Sequence, residues 1–209
     1  ERVYSLDVSP DGRTLVTASE DRSARLWDLA SGDPRGAPLK HGRRTFCGRF
    51  APDGATLATA CEDRTVRVWS MADGRERRRL TGHDGPVNWL DFSADGQQLA
   101  TASSDGTVRI WETASGQELR VLQGPGSQLW KVAFSPDAMR IAAACADGSI
   151  RMWDAGTGRV LPRLEGHRDE VWAIVFAADG RSLVSGSWDR TIRVWGVSVA
   201  ELARRREPP

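Results

Sequence analysis

The sequence predicts an all-β protein built from five copies of one four-stranded antiparallel unit. Three observations carry this. Tryptophans stand at 27, 69, 111, 153 and 195, a constant step of 42 residues. An aspartate precedes each of them by six positions: Asp21, Asp63, Asp105, Asp147 and Asp189. Around them, short runs alternate in apolar character with period two, as Val108 and Ile110 alternate with Thr107 and Arg109, and helical spacing is absent. A fixed step of this size marks units that cannot bury both faces alone and stack on their neighbours.

In chain order within a unit, the first strand ends at a tight turn. The turns "SPDG", "APDG", "SADG", "SPDA" and "AADG" recur there, glycine supplying a left-handed residue. Ala138 breaks that pattern at an expected cost of about 1 kcal/mol. The second strand follows, as in "TLVTAS" and "QLATAS", and a turn on the periodic aspartate leads into the third strand, which closes on the tryptophan. A fourth apolar run comes after a Ser-Gly or similar turn, for example "GQELRVL" at 116–122 and "GRVLPRL" at 158–164. Four antiparallel strands repeated at this interval describe the blade of a β-propeller.

The last unit should begin its fourth strand after residue 199, but "ELARRREPP" has no strand pattern and reads as a short helix or tail. Five units over 1–199 and a tail or linker over 200–209 are expected. Neither end offers a spare strand to close a ring. The expected shape is therefore an open arc of a larger ring, completed by blades upstream or, second, by self-association. The chain opens without a methionine, which reads as a cut through a longer polypeptide.

Bulk properties narrow the function. The formal net charge of +1 creates no field that draws nucleic acid or an anionic membrane. The longest apolar runs, such as "VWAIVFAA" at 171–178, fall well short of the ~20 residues that span a bilayer. Cys47, Cys61 and Cys145 are odd in number and form no C-x-x-C pair, which favours a reduced, cytoplasmic protein. No phosphate-loop, dinucleotide or zinc signature occurs, so no cofactor and no metal are expected. Arginine stands two residues before each periodic tryptophan (Arg25, Arg67, Arg109, Arg151, Arg193) and reads as the solvated face of an outer strand rather than a basic belt.

The chain also carries "GH" at 82–83 and 166–167, "KHG" with His41 in the same register, and "WD" at 27–28 and 153–154. A tryptophan follows each histidine by 28 residues, at 69, 111 and 195. With the 42-residue step, these marks resemble the WD40 repeat family over residues 3–195. The resemblance implies a hydrogen-bonded chain of histidine, aspartate, a strand hydroxyl and the tryptophan. Carried over, its members are His83, Asp105, Trp111 with Ser103 or Thr101, and His167, Asp189, Trp195 with Ser187 or Ser185. The second unit has His41, Asp63 and Trp69, with Cys61 in place of serine and Thr59 remaining. The fourth has Pro125 for histidine and Ala143 and Cys145 for both hydroxyls, so that blade is expected to be the least stiffly held.

All three histidines fall at this structural position, leaving none to activate a nucleophile. A Ser187, His167, Asp189 triad is excluded on the expectation that these groups sit under neighbouring strands. The family resemblance also implies partner contacts near the start of each innermost strand and just before the turn aspartate. Those positions hold Arg2, Tyr4, Arg44, Phe46, Asn88, Trp130, Glu170, Trp172 and Trp188. The expected function is a non-catalytic protein-binding scaffold with no specific nucleic acid or membrane partner. Its Arg-rich regular repeats are similar to those of larger bacterial-type signalling proteins. The competing class is a propeller-based hydrolase, for which the only non-repeat carboxylates in the channel are Asp7 and Asp91.

Overall fold

The computed structural model describes residues 1–198; the expected tail at 200–209 lies outside them. All regular elements among the described residues are strands. The first sheet holds β1 (Val3–Val8), β2 (Thr14–Ser19), β3 (Ser23–Asp28) and a short β4 (Leu39–Lys40). The second holds β5 (Thr45–Phe50), β6 (Thr56–Cys61), β7 (Val66–Ser70) and β8 (Glu76–Leu80). The third holds β9 (Val87–Phe92), β10 (Gln98–Ser103), β11 (Thr107–Glu112) and β12 (Glu118–Gln123). The fourth holds β13 (Leu129–Phe134), β14 (Arg140–Cys145), β15 (Ile150–Asp154) and β16 (Val160–Leu164). The fifth has three described strands, β17 (Val171–Phe176), β18 (Ser182–Ser187) and β19 (Ile192–Gly196). Within every sheet the strands pair antiparallel in sequence order.

Consecutive sheets pack face to face, and the innermost strands lie beside one another in the order β1, β5, β9, β13, β17. The second strands carry alanines buried on both faces, such as Ala100, Ala102 and Ala142 to Ala144, whose small side chains let neighbouring sheets approach. From the second sheet on, the periodic tryptophan packs against the preceding sheet: Trp69 joins Val16 and Ala24, and Trp111 joins Val66 and Val68.

The row does not close. Position by position, its ends expose what its interior hides. Ile192 and Val194 are 77% and 71% exposed, while Ile150, Met152, Val108 and Ile110, at the same repeat positions, are fully buried. At the other end Leu6 is 65% exposed, whereas its equivalents Leu90, Val132 and Ile174 are buried. The arrangement is an open arc of five blades.

Ala138 does adopt a left-handed conformation, φ 54°. The second turn holds residues that the sequence reading missed. Its left-handed position is filled by Gly106 and Gly148 in two units but by Arg22, Arg64 and Arg190 in the others, with φ of 66–70°.

Candidate functional site

The repeated polar residues form an internal brace. In the third blade Trp111 Nε1 donates to Thr101 Oγ1 at 3.0 Å, that oxygen meets His83 Nε2 at 2.8 Å, and His83 Nδ1 meets Asp105 Oδ2 at 2.7 Å. The fifth blade repeats it with Trp195, Ser185, His167 and Asp189, at 2.8, 2.7 and 2.8 Å. Hydrogen bonds from His83 and Thr107 draw the Asp105 carboxyl below the ordinary range, although its burial opposes them.

Of the two hydroxyls considered in each blade, the partner of the indole is therefore Thr101 or Ser185, not Ser103 or Ser187. Ser103 instead donates to the carbonyl of Gly85 and accepts from Asp105 N; Ser187 does the same with Asp169 and Asp189. Strand register explains the choice. Leu99 lies opposite Trp111, which makes Thr101 its diagonal same-face neighbour and puts Ser103 a further two residues away. Ser185, His167 and Asp189 are thus bonded in the order of a catalytic triad, but Ser185 is buried, so no substrate reaches its oxygen.

The second blade departs from this plan. Thr59 Oγ1 accepts from Trp69 Nε1 at 2.8 Å and meets His41 Nε2 at 3.1 Å, but His41 Nδ1 is buried without a partner. Asp63 turns instead to Thr65 and to Arg67, at 3.3 Å. Burial, then the Arg67 charge, push the His41 imidazole from 6.5 down to about 4. Nitrogen, sulfur and oxygen atoms of His41, Cys61 and Asp63 lie within 4.8 Å of one another, a candidate metal-ligand group. The Arg67 guanidinium already holds the Asp63 carboxylate and opposes a second cation there.

Arg25 and Arg193 are exposed, as a solvated face requires, whereas Arg67 and Arg109 depart from it. Arg67 pairs with Asp63 and Glu76, Arg109 pairs with Glu118, and Arg25 pairs with Asp21. The Arg67 and Arg109 side chains are mostly buried because they reach across their own sheet to these acids. Asp7 and Asp91, the carboxylates considered for a hydrolase, flank Arg49 at 3.0 and 3.5 Å. Each also accepts a backbone N–H of the following blade, from Phe50 and Phe134, both at 2.9 Å. Burial raises the Asp91 carboxyl to about 6, and Arg49 acts against that rise.

The residues expected to meet a partner come together at the end of the arc where the innermost strands begin. Tyr4 and Phe46 meet edge to face, with centroids 5.3 Å apart. Trp130 and Trp172 stack at 4.3 Å with an interplanar angle of 13°, and Trp188 stands perpendicular to Trp172 at 5.8 Å. Trp172 and Trp188 are 42% and 62% exposed. Asn88 interrupts the aromatic row and braces two blades, donating to Ser104 Oγ at 3.0 Å and to the Leu129 carbonyl at 2.8 Å. Arg2 and Arg44 are exposed at the rim, Arg44 lying 3.5 Å from Glu20. The Glu170 carbonyl accepts from Trp188 N at 3.0 Å, fixing the turn that presents that indole.

Sheets stacked in an arc, each after the first with its periodic tryptophan docked on the sheet before it, define a propeller-type repeat protein. A family model described as "WD domain, G-beta repeat" matches residues 1–28, 40–70, 74–112, 116–154 and 158–196, and the chain belongs to this WD40 family. No curated protein matches the chain. WD40 repeats in general mediate protein–protein interaction and are generally non-catalytic.

Proposed function

We propose that this chain is a non-catalytic platform that binds a protein partner on the face where its innermost strands begin. One observation carries the reading: Trp130, Trp172 and Trp188 form a contiguous, partly exposed indole cluster that the repeat does not require. Exposed tryptophans are among the residue types that dominate interface energetics, and the bonded line of the fifth blade braces the strands that present Trp172 and Trp188. The histidines and channel carboxylates are engaged in bonds that join strands and blades, which supports binding over catalysis.

The test is Trp172→Ala combined with Trp188→Ala, applied to whichever protein the full chain captures in a pull-down. Affinity is expected to fall by at least about 2 kcal/mol, some 30-fold, while the melting curve barely moves. Loss of binding that merely tracks the folded fraction would show that these indoles are core residues.

A further inference from the structure

Between the Tyr4–Phe46 pair and the Trp130–Trp172 pair lies a cavity of 340 Å³. Asn88, Trp89 and Lys131 complete its lining, so all five innermost strands contribute to it. Its volume is at the small end of ligand sites, which run from about 300 to 1,000 Å³, and it suits one large side chain rather than a helix or strand.

Lys131 is the one charged residue of its lining. The half-buried Lys131 ammonium sits 4.6 Å from the centroid of the Trp89 ring and has no acid partner in an ion pair among the described residues. The Arg49 guanidinium lies 5.7 Å from the same ring and pairs with Asp7 and Asp91, which stand outside the lining. Burial, then the Arg49 charge, hold the Lys131 amine below its usual value, and the Asp91 carboxylate offsets them only in part. The slot therefore offers apolar walls and one cation that no carboxylate of its lining pairs.

We propose that this slot binds the C-terminal residue of a partner polypeptide, its apolar side chain between the aromatic pairs and its α-carboxylate on Lys131. Within a polypeptide of unmodified apolar residues, only the last one carries an apolar side chain and a carboxylate on the same Cα, and the cavity has room for one such residue. The inference rests on the proposed binding face and names the group that face recognises.

The experiment uses the full chain, ¹⁵N-labelled, with N-acetylphenylalanine and N-acetylphenylalaninamide as probes, following the indole N–H signals by NMR. The acid is expected to shift them saturably, with the amide at least tenfold weaker. Lys131→Gln should abolish that preference without altering the melting curve, and Lys131→Arg should retain it. Equal binding of acid and amide to the unaltered chain, or binding of neither, overturns the inference without need of any variant. A preference that survives in folded Lys131→Gln overturns it too. If the inference fails in any of these ways while the Trp172→Ala, Trp188→Ala chain still loses its captured protein, the binding face stands and only the terminal-carboxylate assignment falls.

Discussion

The third and fourth blades follow one 42-residue plan and are held by different means. In the third, indole, hydroxyl, imidazole and carboxylate run in one bonded line from Trp111 to Asp105. In the fourth, Pro125, Ala143 and Cys145 stand at the corresponding positions, and Trp153 is buried in an apolar cluster with Val132 and Ile141. The difference teaches that the line is dispensable as a whole but not in part. Removing several members together leaves few buried polar groups to satisfy, whereas removing one strands its partner at a cost of about 1–3 kcal/mol. The second blade shows the partial case: Asp63 has turned away and His41 Nδ1 is left buried and unpaired.

Three substitutions break this comparison most directly. Trp111→Phe and Trp195→Phe should each cost about 1–3 kcal/mol in denaturant titration, since a buried bond loses its donor. Trp153→Phe loses ring volume alone and should cost less. Equal losses at all three would mean that packing, not the bonded line, holds the indoles.

The second blade sharpens the comparison through pH. His41 titrates near 4 in the folded chain and at 6.5 in the unfolded one, so between these values only the unfolded state takes up the proton. Stability should therefore be fully present above 6.5 and fall by roughly 2–3 kcal/mol as pH drops toward 4. His41→Gln should flatten that part of the profile. An unchanged slope between pH 6.5 and 4 would assign the acid sensitivity to other groups.

The open ends extend the contrast from blade to blade interfaces. Ile192, Val194 and Leu6 occupy positions that are buried or, at Leu26, partly buried wherever a neighbouring blade exists. The isolated chain should consequently self-associate at micromolar concentrations, and Ile192→Lys with Val194→Glu should reduce this with little loss of melting temperature. Light scattering from a monomer before any substitution would contradict it.

The smallest expected effect lies in a turn. Arg64 holds a left-handed backbone, φ 70°, where the third blade has Gly106. Arg64→Gly should change stability by only about 0.5–1 kcal/mol in the favourable direction, the relief of backbone strain being partly offset by glycine's freedom in the unfolded chain. A destabilised variant would show that the arginine side chain outweighs its backbone cost.

Much of this was legible beforehand because its causes are local. Period-two alternation, aspartate turns and a tryptophan every 42 residues define strands, their order and the docking of each sheet on the last. The grouping of Tyr4, Phe46, Asn88, Trp130 and Trp172 on the proposed binding face was legible too, since they are themselves spaced by that step. Strand register, with Leu99 facing Trp111, selects Thr101 over Ser103.

What only the tertiary structure decided involves groups far apart in sequence competing for one partner. Asp63 chose Arg67 over His41, and Arg67 and Arg109 turned from water to acids across their own sheets. The cavity that Lys131 and Trp89 line needs five strands, from β1 to β17, to be brought side by side. Sequence spacing determined which side chains face the same way, because pleat and repeat are short-range rules. Which of those side chains satisfy one another depends on distances between sheets, and packing alone sets those.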